Sequence, residues 1–225
     1  MQKENTRKIA EGRTAELYIL SKSRVLKLFR PGYSQNTVLR EYRNHQLVAG
    51  KPVRIPKVYE CTEVQNRFGY VMENIPGQPL ASQMADSRTF ERAMSLFTSL
   101  HQNWLLNRSD LAVSYKQWML NTVREAPGAA YLSEMINRLP DDSILCHGDF
   151  HPYNILMPSD GEPVIIDFAN VCAGPADYDI ARTWFLLKEA TPGQTVAEIY
   201  LNRMNRTWQD IKKYVEVLKA LRRYE

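Results

Sequence analysis

The sequence predicts an α+β chain of two lobes, a small β-rich first lobe with one helix and a larger, mainly helical second lobe. Three observations carry this expectation. The first third alternates apolar and polar residues between short turns. From Leu80 to about Leu139 the chain follows a helical period. Strand signals then return only briefly, at SILC, NILM and PVIID, before helical stretches resume. The expected division is 1–75 for the first lobe and 76–225 for the second.

Residues 8–29, KIAEGRTAELYILSKSRVLKLF, hold three strand segments separated by a turn at Gly12 and by SKS, a β-meander by alternation and turn chemistry. After Pro31-Gly32, the segment SQNTVLREYRNHQLVAG spaces Val38, Tyr42 and Leu47 at roughly helical intervals, with Ser34 as N-cap and Gly50 as stop. IPKVYECTEV and RFGYVMENI read as two more strands joined at Gln65-Asn66. IPGQPL then breaks the pattern with two prolines and a glycine, and the lobe boundary falls there. Beyond it TFERAMSLFTSLHQNWL is helical, with interruptions near Asp110 and at Pro127-Gly128. Further helical stretches run from Asp177 to Ala190 and from Val196 to Arg223, and no internal repeat or low-complexity segment is present.

With 225 residues, 44% of them hydrophobic, the chain can build a real core. Its 29 basic and 25 acidic side chains leave +4, too little and too scattered to argue for nucleic-acid binding. Cys61, Cys146 and Cys172 are an odd number at unrelated spacings, each in or beside an apolar run. They suggest neither a disulfide framework nor a zinc site, and fit a reducing cytoplasm. MQKENTRKIAEGR has no apolar core of a signal peptide, and nowhere do about 18 apolar residues run together, so a cytoplasmic protein with no membrane span is expected.

The stretch CHGDFHPYNILM, residues 146–157, crowds polar side chains between two short apolar runs. Asp149 precedes Asn154 by five positions, and IIDF places Asp167 at the end of an apolar strand thirteen positions further on. The Asn154 amide oxygen and the Asp167 carboxylate are hard oxygen ligands of the kind magnesium prefers. Asp149 is left free to accept a proton. Phosphoryl transfer from a nucleotide needs this division of labour, because it depends on positioning, metal neutralisation of phosphate charge and orientation of the incoming hydroxyl. Any one of these residues taken singly is explained as well by turn formation or helix capping. His147 and His151, at i and i+4, would suit a zinc pair on a helix, but Gly148 and Pro152 oppose that helix and no third ligand is evident.

HGDFHPYNIL and VIIDF together resemble the catalytic loop and metal-binding aspartate of the aminoglycoside phosphotransferase (APH) family, the protein-kinase-like small-molecule kinases. The kinase pattern H-R-D-x-x-x-x-N followed by D-F-G stands here as H-G-D-x-x-x-x-N followed by D-F-A. The resemblance implies a bilobal protein-kinase-like fold, with Asp149 as catalytic base, Asn154 and Asp167 on Mg2+, and His147 as structural support of the loop. GPADYDIA is similar to the family's G-x-x-x-x-D-L-A segment, which implies that Asp179 braces the loop from the start of a helix. These stretches span residues 145–181.

A kinase-like first lobe also needs a basic residue on its third strand, and Lys27 sits inside RVLKLF, where an apolar strand has no packing reason for a charge. Glu41, fourteen residues on, is the only acidic residue between Lys27 and Glu60, so an ion pair holding nucleotide phosphates is expected. The phosphate-covering turn departs from the kinase pattern, since EGRTAELY has one glycine where three would stand. The amides at Gly12 and the Thr14 hydroxyl are expected to reach phosphate, although a plain hairpin turn explains these residues nearly as well. VMENIPG resembles the family's strand-to-linker segment, whose backbone around Glu73 to Ile75 would meet the adenine edge.

The resemblance implies ATP (or GTP) and Mg2+ as cofactors, and a small hydroxylated molecule as acceptor. By the same resemblance the acceptor pocket draws on roughly 84–140 and 182–225. The second of these stretches carries nine basic against five acidic side chains, which argues against a polycationic antibiotic, although an outward helix face would explain the same charges. Trp104, Trp118, Trp184 and Trp208 read as packing residues first and acceptor-stacking residues second. A small atypical serine/threonine kinase is the runner-up, disfavoured by the short segment between Asp167 and Asp179. A non-catalytic nucleotide-binding scaffold is a third reading, disfavoured by the joint presence of Lys27, Asp149, Asn154 and Asp167.

Overall fold

Alternation dictates where a charge in a strand must point, and Lys27 shows the consequence. In the computed structural model, which describes residues 7–191 and 195–224, five antiparallel strands form one sheet: β1 (Arg7–Glu11), β2 (Ala15–Ser21), β3 (Arg24–Phe29), β4 (Val58–Val64) and β5 (Arg67–Glu73), in the order β1-β2-β3-β5-β4. The expectations placed on the first six residues lie outside the described range. Lys27 of β3 stands opposite Leu17 of β2 and Tyr70 of β5. Its period-2 neighbours Val25 and Phe29 share its face, whereas Leu26 and Leu28 pack with Val71 on the other. The sequence reads KIA as part of an apolar strand, yet every residue of β1 is exposed, because among the described residues this edge strand pairs only with β2.

Helix α1 (Gln35–Val48) supplies Val38 to the core face of Ala15, Phe29 and Tyr70. Ser34 caps it by accepting the Thr37 N–H at 3.3 Å. The buried stripe of α1 is Val38, Glu41, His45 and Val48, while Tyr42 and Leu47 are only half-buried. The apolar spacing therefore mislocates this face by a small rotation. Two polar residues can lie on it because each has a partner. For His45, the ring Nε2–H donates to the Pro56 carbonyl at 2.6 Å, and burial pushes its pKa down to about 4, so the ring is neutral. At the β4–β5 hairpin, Gln65 (φ 53°) and Asn66 (φ 59°) both adopt the left-handed conformation of a two-residue I′-type turn.

Contacts divide the chain into two compact units. One runs to Gln78 and takes in Ile155–Ala169; the other holds Pro79–Asn154 and the chain from Asn170 onward. In the first unit, Ile165 N–H donates to Arg54 O at 3.0 Å and Arg54 pairs with Asp160 at 2.9 Å. The segment IPGQPL, read from sequence as a break, contributes the short strand β6 (Gly77–Pro79), which joins a ribbon in the order β6-β8-β9 with β8 (Ile155–Pro158) and β9 (Val164–Ile165). A side chain at Gly77 would bring its Cβ to 2.9 Å from the Met157 carbonyl, so only glycine permits this approach.

The second unit comprises α2 (Leu80–Met84), α3 (Phe90–Trp104), α4 (Tyr115–Val123), α5 (Ala129–Asn137), β7 (Ile144–Cys146), a 3-10 turn at Pro152–Asn154, β10 (Cys172–Gly174), α6 (Ala176–Ala190), α7 (Val196–Arg203) and α8 (Trp208–Leu221). β10 is invisible to alternation because it is three residues long, and it exists by pairing with β7, Cys172 opposite Cys146. The single helical stretch expected from Val196 to Arg223 is corrected to two helices. Asn205 takes a left-handed φ of 52°, and Thr207 with Asp210 forms a capping box that starts α8 afresh. Of the tryptophans, Trp104 is fully buried and the Trp184 and Trp208 rings lie 5.3 Å apart.

Candidate active site

Lys27, from the sheet face covered by α1, meets the Glu41 carboxylate at 2.6 Å. The same carboxylate oxygen accepts the Tyr70 hydroxyl at 2.8 Å, and Lys27 lies 3.5 Å from Asp167. Burial disfavours the ammonium, but the Asp167 and Glu41 charges outweigh it and hold the Lys27 pKa well above its ordinary value. The strand β9 ends at Ile165, two residues before Asp167, so Asp167 stands in the loop beyond the strand and not at its end. It takes a left-handed φ of 66°, which a short polar side chain tolerates. The following Phe168 is anchored to α1, its carbonyl accepting Asn44 Nδ2–H at 2.9 Å and its ring meeting His45 edge-on at 4.7 Å.

The turn expected to cover phosphates is a tight loop between β1 and β2. Gly12 N–H donates to Ala15 O at 2.8 Å, Thr14 O accepts Arg30 N–H at 2.9 Å, and the Arg30 guanidinium bonds to Gly12 O. In the linker after β5, the Glu73 and Asn74 amides are committed to Lys57 O and Ser23 O. The Ile75 amide has no hydrogen-bond partner among the described residues.

In the second unit, β7 delivers the chain to His147, and a helix start receives it. Asp179, in the first turn of α6, is fully buried and accepts His147 N–H and Gly148 N–H, each at 2.8 Å, and His101 Nε2–H at 3.1 Å. Burial would raise the carboxyl pKa, but the hydrogen bond from His101 leads the interactions that hold it low, so Asp179 is ionised. Gly148 takes φ 74°, and a Cβ there would lie 2.3 Å from Asn170 O. Its carbonyl accepts Arg182 Nε–H at 2.7 Å. The loop backbone is thus held on both its donor and acceptor sides.

Asp149 follows this clamp. Its N–H donates to His147 Nδ1 at 3.3 Å, and its carboxylate lies 3.7 Å from His151 Nε2. Asn154 Nδ2 donates to Asp149 O at 2.9 Å and approaches its carboxylate at 3.4 Å. Burial opposes ionisation of Asp149, but the His151 ring 3.7 Å away, with the Arg182 charge behind it, holds its pKa down at about 2. His147 is wholly buried, edge-on to Trp104 at 5.1 Å.

The predicted residues therefore gather into two sets, Lys27–Glu41–Asp167 in the first unit and His147–Asp149–Asn154–Asp179 in the second. Sequence reasoning passed over His101, Arg182 and Tyr200. The signal for His101 and Arg182 was a polar residue inside an amphipathic helix, at a position where the apolar face demanded a partner.

The phosphotransferase enzyme family, APH, matches this sequence over residues 5–214. The chain belongs to that family. The phosphotransferase adopts the family's kinase-like α+β fold, and it is an ATP-dependent enzyme that acts on hydroxyl groups. Among solved structures it is similar to the GDP and kanamycin complex of APH(2")-IIia, with a TM-score of 0.68 and 15% identity over 100% of this chain and 85% of that one. It is similar also to aminoglycoside-3'-phosphotransferase of type VIII, with a TM-score of 0.67 and 17% identity over 96% and 91% of the two chains. For APH(4)-Ia the corresponding values are 0.60, 12%, 98% and 94%. At such identities the likeness is one of fold. No curated protein matches the phosphotransferase in sequence. No helix among its described residues is long and apolar enough to cross a membrane.

Proposed function

We propose that the phosphotransferase moves the γ-phosphate of magnesium-bound ATP to a hydroxyl of a small molecule that is not a polycation, with Asp149 orienting that hydroxyl and accepting its proton. The observation that carries this reading is an ionised, mostly buried carboxylate on a loop whose preceding two amides are held by Asp179. A base for phosphoryl transfer needs position more than basicity, since in a loose transition state the proton leaves late.

The donor set suits magnesium. Asn154 spends its Nδ2 on Asp149, which leaves Oδ1 as the ligand atom, and Asp167 keeps 38% of its side chain exposed. No group of three or more His, Cys, Asp or Glu able to hold a metal occurs among the described residues. The ion would complete its shell with phosphate oxygens and water, as magnesium commonly does. When bound, it neutralises charge on the phosphates. Lys27, kept charged and aimed by Glu41, holds the α- and β-phosphates, the Gly12–Thr14 turn covers them, and the linker backbone at Glu73–Ile75 receives the adenine.

The acceptor reading rests on charge. In the helical unit Glu91, Asp141, Asp142, Asp177, Glu189 and Glu198 are each paired with an arginine or lysine of the same unit. Few carboxylates are left to concentrate a polycation. The basic excess of the last segment is not a pocket property either, because Lys212, Lys213, Lys219 and Arg223 lie on exposed positions at and beyond α8. A neutral or anionic metabolite alcohol in the cytoplasm fits this balance.

The test is transfer of labelled γ-phosphate from magnesium-ATP into a fractionated cell extract, beside the Asp149→Asn protein and a separate aminoglycoside panel. Label in a small-molecule fraction with the unmodified enzyme alone supports the proposal. Label on aminoglycosides in preference to extract metabolites would overturn the acceptor class, and equal transfer by both proteins would remove Asp149 as the base.

A further inference from the structure

His101 lies 78 residues before Asp179 in sequence and is one of four histidines in the chain, yet it is completely buried. It uses both ring nitrogens. Asp179 is a carboxylate and can only accept, so His101 Nε2 carries the proton and donates to Oδ2 at 3.1 Å. In the neutral ring the Nδ1 lone pair then accepts the Tyr200 hydroxyl, 2.7 Å away on α7. The flat face of the imidazole is also used, because it stacks on Phe150 with centroids 4.2 Å apart and planes 16° from parallel.

These contacts fall on both sides of Asp149. Upstream, the amides of His147 and Gly148 end on the carboxylate that His101 orients. Downstream, Phe150 is the residue on which the ring rests. A histidine needed only for packing would have no reason to satisfy a buried carboxylate and grip the next aromatic ring at once. Tyr200 supports the same tautomer, since a hydroxyl that donates to Nδ1 leaves the ring proton on Nε2, facing Asp179.

We infer that His101 is a positioning residue of the phosphotransferase: held in one tautomer between Asp179 and Tyr200, it orients Asp179 and seats Phe150, and so sets the place of Asp149. The inference rests on the reading of Asp149 as the base. The device also links α7 to the loop through the side chains of Tyr200 and His101.

Two measurements test it separately. Amide hydrogen exchange at His147 and Gly148 in the full-length protein reads the clamp without any acceptor. His101→Leu is expected to speed exchange at these two amides by about tenfold or more, the order of one or two lost hydrogen bonds, while amides of the β-rich unit are unchanged. Steady-state transfer to the acceptor found in the extract reads the consequence. Here kcat per folded enzyme is expected to fall by about 10- to 100-fold in His101→Leu with the KM for ATP unchanged, the range of one charge-assisted hydrogen bond. His101→Gln, whose amide can still donate to Asp179, restores most of it. Tyr200→Phe keeps the ring and removes one hydroxyl, and is expected to lower kcat by about three- to tenfold.

A merely structural histidine would reduce the folded fraction and leave kcat per folded enzyme alone. Unchanged exchange at His147 and Gly148 in His101→Leu, or failure of His101→Gln to recover kcat, overturns the inference. If His101→Leu does not fold, Tyr200→Phe decides, and parental exchange and kcat in that variant sink the positioning role. Absence of transfer by the unmodified enzyme would count against the reading of Asp149, while the exchange result would still judge the clamp.

Discussion

The two candidate clusters are held by different physics. In the β-rich unit, Lys27, Glu41 and Asp167 are arranged by side-chain charge, with a buried ammonium 2.6 Å from one carboxylate and 3.5 Å from another. In the helical unit, the loop carrying Asp149 is arranged by its backbone, with two amides on a buried carboxylate and a carbonyl on Arg182. The difference teaches where each should be fragile. A charge cluster fails when one member is removed, because the survivors are left buried and unpaired. A backbone clamp can lose the functional side chain it presents and keep its shape.

The largest expected effect exploits that asymmetry. Asp149→Asn is isosteric and leaves every backbone contact of the clamp in place, so kcat should fall by about a thousandfold while nucleotide affinity stays near the parent's and stability drops by only about 2 kcal/mol, the share of the lost charge. A calorimetric scan beside steady-state kinetics checks this; a large loss of stability would mean that the carboxylate holds the loop together after all.

Lys27→Met should show the opposite balance. It strands Glu41, 3% exposed, with only the Tyr70 hydroxyl, and is expected to cost about 3 kcal/mol of stability in addition to weakening ATP binding. Urea unfolding followed in parallel with nucleotide titration would sharpen the contrast, and a variant as stable as its parent would break it.

The smallest effect is on pH. His45 has its folded pKa lowered to about 4 by burial, against an ordinary value of 6.5. The unfolded chain therefore takes up the proton first, and stability is full above about pH 6.5 and declines until about pH 4, by about 3 kcal/mol over the whole range and by only about 1 kcal/mol at pH 5.5. Asp149, its pKa held at about 2, keeps its charge throughout that window, and the stability it contributes is lost only as the pH falls from its ordinary 3.8 towards 2. Denaturation curves at pH 7, 5.5 and 4.5 should show the decline, and His45→Gln should flatten it.

Most of the elements were legible in the sequence, and the exceptions are instructive. The meander, α1 with its Ser34 cap, the Gln65-Asn66 turn and the breaks near Asp110 and Pro127 are local matters of period and turn chemistry. The strands β6 and β10 are not, since three residues carry no period and pair only because a distant strand is there. The break between α7 and α8 hides in NRMNRTW, where the apolar pattern continues but Asn205 reverses its backbone and Thr207 caps anew. In the candidate site, the proximity of Lys27 and Glu41 could be read from a charge without a packing excuse and a single available acid. The buried stripe of α1 was misplaced because Glu41 and His45 look like surface residues until their partners are known.

The sequence by itself determined the order of the elements and the chemical character of the polar loop, through alternation, helical period and the residue types at 147, 149, 154, 167 and 179. Only the tertiary structure decided that His101 and Tyr200, 99 positions apart, converge behind that loop, and that Gly148 must be glycine beneath Asn170. The physical reason is one of range. Period and turn preferences act over a few residues, whereas the satisfaction of a buried carboxylate such as Asp179 is settled by whichever donors the completed packing brings within 3 Å or so of it.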